Sequence, residues 1–208
     1  MSTTALYHLT KEDIPRAVDC LKDAFKNDPL WNEVFKEDPN KEKVLSFFFR
    51  CPLLYGMKYG EIYATSSALE AIAVCVPGKY SNMTIWRMLR CGALLSGTRM
   101  GKETLRNLSI LQKQLAPDRK RLMKDKPYTY LMIIGVTSSC QGKGFGSRIM
   151  NVIKEDCDKK GLHLYLETET EENLRFYNKH DCNLLQKVVL KKLNLPMWQM
   201  AREPQSPI

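Results

Sequence analysis

Apolar positions along the chain change period several times, and each change marks a new element. Ile14, Val18, Leu21 and Phe25 recur at spacings of three and four, which predicts a helix ending near Phe25. Thr10 and Asp13 resemble a start box for it. Pro29 breaks the pattern, and a second helix is expected from about Pro39 to Tyr59, kinked or split at Pro52. EIYATS and AIAVCV are short and β-rich, and read as a hairpin closed by Pro77-Gly78. Residues 81–126 return to helical spacing, with interruptions expected near Gly92, Gly97, Gly101 and Pro117. YTYLMIIGV is a strand, and GKGFGSRIMNVIKEDCDKKG opens a helix with Gly161 as its C-cap. LHLYLET alternates as a strand, EENLRFYNKH is a short helix, and NLLQKVVLKKL and MWQMA are two closing strands before a loose EPQSPI tail. The order predicts a mixed α/β fold. A sheet is flanked by helices, and a helical insertion at about 81–126 interrupts it before the strand at Tyr128.

The length of 208 residues suits one domain spanning 1–208. No apolar run approaches the ~20 residues of a bilayer span, so no membrane partner is expected. MSTTALYHLTKED lacks the basic and apolar regions of a secretory signal. Seven cysteines without a CxxC pair read as reduced thiols of a cytoplasmic protein, and the three histidines show no metal-ligand spacing. The net charge of +9 is uneven: residues 81–126 hold eleven Lys/Arg against three acids, Glu103, Asp118 and Asp125. Such a run is either a solvated helical face or a surface for an anion. No aromatic residue is interleaved in 97–126, which argues against single-stranded nucleic acid.

The segment GVTSSCQGKGFGSRIM, Gly135 to Met150, carries the chemistry. A strand, a glycine-rich turn and a helix start together form an anion site, with free N–H groups and the positive end of a helix dipole. A P-loop requires four residues between its glycines and then Lys-Ser/Thr; here Gly144 follows Lys143. A dinucleotide fingerprint requires GxGxxG near the first strand, and this GxGxG lies two-thirds along the chain. Gln141-Gly142-Lys143-Gly144-Phe145-Gly146 instead resembles the pyrophosphate motif of the GNAT superfamily of acyl-coenzyme A-dependent N-acetyltransferases. Asn173 and Tyr177 match that family's Asn-x-x-x-Tyr segment. The ending LPMWQMAREP and the insertion after VCVPGKY are similar to the puromycin N-acetyltransferase branch. The resemblance covers about Tyr128 to Pro204. Asp181-Cys182 stand where the family usually has Gly-Phe, and Ser138 where it often has Pro.

The resemblance implies a mostly antiparallel sheet of about seven strands, acetyl-CoA as cofactor without a metal, and direct acetyl transfer to an amine in a ternary complex. It also implies roles. Backbone N–H groups from Gln141, Gly142, Lys143, Gly144, Phe145, Gly146 and Ser147 would hold the pyrophosphate. Ile134, Gly135 and Val136 would flank the pantetheine arm, with a bulge at Gly135 starting a splay between strands. Asn173 would hydrogen-bond near the pantetheine or the acetyl end, or merely start a helix. Tyr177 would protonate the leaving thiolate as general acid, or pack as a core tyrosine. Glu167, ending a strand, is the candidate for accepting the ammonium proton, with Tyr130 as another; the plainer reading of Glu167 is an exposed acid. The acid-rich run Glu167–Glu172 would attract a cationic amine or favour a helix start. The acceptor pocket is expected from Trp31, Phe35, Phe47 to Phe49, Tyr63 and the insertion. A small-molecule amine is the expected acceptor, with the protein a monomer or homodimer. The alternatives are acetylation of a protein N-terminus or lysine, and a non-catalytic module binding coenzyme A or nucleic acid. Cys140 beside the loop has no evident base.

Overall fold

A computed structural model describes residues 6–36 and 38–205. The start of the N-terminal segment read for a signal and the end of the EPQSPI tail lie outside them. Seven strands form one sheet: β1 (Tyr7–His8), β2 (Glu61–Ala64), β3 (Ala71–Pro77), β4 (Tyr128–Val136), β5 (His163–Thr168), β6 (Asn183–Leu190) and β7 (Leu195–Arg202). Their order is β1-β2-β3-β4-β5-β7-β6, and every pairing is antiparallel except β4 with β5. The expected hairpin is β2–β3, with Ala64 opposite Ile72. The two-residue β1 is too short to show a period of two.

Alternation along the central strands sorts two cores. Ile72, Val74 and Ile133 face one layer, built from α1 (Ile14–Ala24), α2 (Pro29–Val34), α3 (Lys41–Tyr59) and part of the insertion. Ala71, Ala73, Cys75 and Leu131 face the other, built from α7 (Phe145–Lys160) and α8 (Glu171–Asn178). The insertion between the third and fourth strands is helical: α4 (Ile85–Arg90), α5 (Leu94–Thr98) and α6 (Lys102–Leu122).

Two prolines depart from expectation. Pro52 lies inside an unbroken α3, and Pro117 inside an unbroken α6. Each forfeits one helical hydrogen bond, but tertiary burial outweighs the loss. Phe49, Cys51, Leu53 and Tyr55 are buried around Pro52, and Leu111, Leu115 and Arg119 hold one face of α6 to the fold at i, i+4 and i+8. Left-handed Gly92 and Gly101 separate the insertion helices as expected, whereas Gly97 is buried within α5. At the start of α1 the box is inverted: Asp13 Oδ2 accepts from the Thr10 amide (3.0 Å), the Thr10 hydroxyl (3.1 Å) and the Tyr7 hydroxyl (2.9 Å). All seven cysteines are free thiols.

Candidate active site

After β4 the chain makes a 3-10 turn at Ser138–Cys140 and enters the glycine loop. Gln141 fastens it: its Nε2 donates to the Val136 carbonyl at 3.2 Å. Ser138 fastens it again, its backbone N–H and hydroxyl donating to Asp23 at the end of α1. Gly142 and Gly144 hold φ of +74° and +85°, where a side chain is strained. A Cβ at either would meet nothing within 4 Å, so these glycines serve backbone conformation beside open space. Gly144 caps α7. The N–H groups of Gly142, Gly144, Phe145, Gly146 and Ser147 have no protein acceptor among the described residues. Five free donors at the start of a sixteen-residue helix make an anion cradle. Gly146 is different: a Cβ there would lie 3.4 Å from Phe176 and Val136, packing α7 onto its neighbours. The Ser147 hydroxyl is 3.2 Å from His180 Nε2, on a buried imidazole whose pKa burial lowers. Lys143 is exposed.

β4 and β5 pair at three positions only, Tyr128 with His163, Thr129 with Leu164, and Tyr130 with Tyr165. Beyond them β4 continues against β3 as far as Val136, and β5 against β7 as far as Thr168. The facing edges of residues 131–136 and 166–168 therefore lack strand partners, and the sheet opens into a V. The register irregularity falls at Met132, between the pairs Val74–Ile133 and Cys75–Leu131, not at Gly135. Gly135 is small for another reason: a Cβ there would sit 2.9 Å from the Ala24 Cβ and 3.0 Å from Leu21 Cδ2, so glycine admits α1.

A buried ion pair sits at the vertex. Arg119 on α6 donates through Nε to Glu167 Oε1 (3.2 Å) and through Nη2 to Oε2 (3.1 Å), a bidentate fork. The hydroxyls of Tyr130 (2.9 Å) and Tyr165 (3.1 Å), the last paired residues of the two strands, donate to the same carboxylate. Arg119 also stacks 4.1 Å from the Tyr130 ring centroid and donates through Nη1 to the Ser81 carbonyl at 3.0 Å. The Arg119 and Glu167 side chains are 4% and 7% exposed, so Glu167 is no exposed strand-end acid. Beside it on β7, the fully buried Gln199 amide pairs with nothing among the described residues.

Two residues further on, Glu169 meets Asp28. Burial, and then a hydrogen bond with the Asp28 side chain, push the Glu169 pKa up to about 9. Asp28 also accepts from the Trp31 amide at 3.0 Å, capping α2. Asp28 belongs to the α1–α2 connection, and Glu169 directly follows β5. Tyr177 on α8 is buried in the second core, its phenol pKa raised by burial and next by the Glu169 charge. Its hydroxyl has no hydrogen-bond partner among the described residues. Thr170 caps α8 by accepting from the Asn173 amide at 3.1 Å, with Glu171 and Glu172 in the first turn. The acid run therefore divides into an ion-pair member, a carboxyl pair and a helix start.

Residues 110–181 match the model of the Acetyltransferase (GNAT) family. Over that stretch the chain is similar to GNAT acetyltransferases. The matched stretch runs from α6 through the glycine loop to the end of α8, so it holds Arg119, Glu167, Glu169 and Tyr177 together. An uncharacterised N-acetyltransferase of Schizosaccharomyces pombe is 33% identical over 85 residues, 40% of this chain and 34% of that protein. The chain's match thus spans about a third of that relative's length. Among solved structures, a Corynebacterium glutamicum protein described as a histone acetyltransferase and related acetyltransferase superposes with a TM-score of 0.66 at 19% identity. That match covers 98% of this chain and 97% of the other. A Drosophila melanogaster polyamine N-acetyltransferase, described as forming N-acetylagmatine, superposes with a TM-score of 0.63 at 12% identity, over 96% and 99%. At these identities the two solved structures speak for the fold.

The sequence-derived candidates divide. Ile134, Gly135 and Val136 lie on the stretch of β4 that does not pair with β5, and the loop from Gln141 to Ser147 follows it along the chain. Trp31, Phe35, Phe48 and Phe49 form an aromatic cluster, Trp31 and Phe48 with centroids 4.5 Å apart, but Phe35 and Phe49 are fully buried core. Tyr63 belongs elsewhere. Strand alternation turns it to the opposite layer, where its hydroxyl donates to Asp156 of α7. Cys140 Sγ lies 3.8 Å from the Ser139 hydroxyl and makes no hydrogen bond to a base. Arg119 and the Asp28–Glu169 pair were missed by the sequence reading. Arg119 lies in a mostly basic run, and 141 positions separate the two carboxyls.

Proposed function

We propose that this protein transfers an acetyl group from acetyl-CoA to a primary amine of a small molecule, by direct attack in a ternary complex. The observation that carries the reading is the V between β4 and β5, whose rim ends on five unpartnered N–H groups at the start of α7. The cradle and the free strand edge fit a pyrophosphate and an amide-bearing arm laid alongside β4. When bound, acetyl-CoA supplies the thioester carbonyl carbon as electrophile. The protein's residues do the rest. The glycine loop holds the pyrophosphate through Gly142, Gly144, Phe145, Gly146 and Ser147, and Gln141 keeps the loop in place from behind. Residues 134–136 orient the arm, and Asn173 lies at the start of the helix bearing Tyr177.

The acceptor nitrogen bonds to the acetyl carbon as the carbon–sulfur bond breaks. Tyr177, kept protonated by burial, gives its hydroxyl proton to the departing thiolate. The ammonium proton needs an acceptor. Glu167 is engaged on both oxygens by Arg119 and two phenols, so its role is to hold the vertex. The Asp28–Glu169 pair takes the part first assigned to Glu167. The two neighbouring carboxyls attract a cationic amine, and a carboxylate there accepts its proton and passes it to solvent. The reaction ascribed to the Drosophila polyamine acetyltransferase supports a cationic small amine as the class.

The test is steady-state release of coenzyme A thiol with agmatine, spermidine and phenylethylamines, against peptides bearing a free N-terminus or lysine. Saturable turnover on a small amine supports the proposal. Turnover on peptides alone would move the acceptor class, and failure to bind acetyl-CoA by calorimetry would remove the enzyme reading.

A further inference from the structure

The insertion and the chain leading into it have a composition of their own. From Ala71 to Lys102 the chain carries five cations, Lys79, Arg87, Arg90, Arg99 and Lys102, and no acidic residue. Among the described residues none of the five forms a salt bridge. α4 rests on the fold through Met88 and Cys91, while the Arg87 carbonyl accepts from the Tyr59 hydroxyl. Its outer stripe is apolar. Ile85, Trp86 and Leu89 are 72%, 74% and 52% exposed, and Leu95 of α5 continues the stripe at 72%. Exposed apolar residues scattered singly are ordinary, but four on two adjacent short helices, in a stretch whose five cations form no salt bridge, form a patch.

We propose that this face docks reversibly on an anionic membrane surface. Three features select that occupant. Tryptophan and branched aliphatics beside Arg and Lys are the side chains that enter the headgroup boundary, with cations left at the lipid phosphates. The acid-free charge complements anionic lipid. A second copy of the chain is disfavoured, since a two-fold interface would set this cation-rich stretch against itself. No helix among the described residues is long and apolar enough to cross a bilayer, so the contact lies on the surface. The expectation of no membrane partner came from the lack of a span and did not address surface docking. The inference stands independently of the acetyl-transfer proposal, because the glycine loop and Tyr177 lie on other elements.

The experiment is co-sedimentation of the full chain with vesicles of phosphatidylcholine alone and of phosphatidylcholine with phosphatidylserine, at low and high salt. Tryptophan emission is read in parallel, since Trp86 is the exposed one while Trp31 and Trp198 are largely covered. Binding to the anionic vesicles with a blue shift, weakened by salt, is expected. Ile85→Ser/Trp86→Ser/Leu89→Ser should cut partitioning at least about tenfold. Arg90→Gln should cut it about fivefold, the change worth about 1 kcal/mol per basic residue. These side chains are exposed, so circular dichroism and melting should stay at wild-type values. Equal pelleting of the triple variant, or no binding to anionic vesicles at low salt, overturns the proposal. In the second case an acidic protein becomes the partner to seek.

Discussion

Arg119→Met removes the cation from the vertex and leaves the Glu167 carboxylate with two phenols. Arg119 and Glu167 are 4% and 7% exposed, joined by two bonds of 3.2 and 3.1 Å, and Arg119 further holds the Ser81 carbonyl at 3.0 Å. Breaking one side of a buried pair costs about 3–5 kcal/mol, because the remaining charge stays desolvated. For a chain of this size 1 kcal/mol moves the melting temperature by about 2–4 °C, so a fall of roughly 6–20 °C is expected by calorimetry. Arg119→Lys keeps the charge without the fork and should fall between the two. Arg119→Met/Glu167→Met removes both charges and should recover much of the loss. The same variants report on the cleft. If the pair sets where β4 and β5 part, the KM for acetyl-CoA rises in Arg119→Met while the double variant, though stable, stays impaired. A single variant within about 1 kcal/mol of wild type would refute the buried pair. A destabilised variant with unchanged KM would refute its hold on the cleft.

Three further outcomes are expected. Tyr177→Phe should lower kcat about 10²–10⁴-fold with little change in acetyl-CoA affinity, the usual contribution of general acid catalysis; unchanged turnover in a stopped assay would remove Tyr177 from the mechanism. Gly144→Val should abolish acetyl-CoA binding by calorimetry, since it strains a backbone at φ +85° and fills the open side of the cradle, while costing only about 1–2 kcal/mol of stability. Glu169 has a raised folded pKa, so the native state binds more protons than the unfolded one between the ordinary glutamate value and about 9. Its stabilisation is complete below the ordinary value and is lost as pH climbs through that window. Denaturant melts from pH 5 to 9 should show that slope, and Glu169→Gln should flatten it.

Much of this architecture was legible along the chain because it rests on local physics. The strand from Tyr128 to Val136, the helix closed by Gly161 and the glycine loop between them each follow from alternation, helical spacing and left-handed backbone. Those preferences act over a few residues and need no partner. The loop's anion chemistry was legible for the same reason, since free N–H groups at a helix start are a backbone property. Other features depended on what lay across the fold. Pro52 and Pro117 read as breaks because propensity is local, while the burial that overrides it is not. Arg119 looked like its neighbours Lys120 and Arg121 until α6 turned it onto the sheet. Glu167 and Glu169 share one acidic run, yet one met a guanidinium from the insertion and the other a carboxyl from the α1–α2 connection. Charge and spacing in the sequence determined which chemistry was available. Only packing decided which charges were desolvated and paired, because desolvation depends on neighbours that sequence order does not bring together.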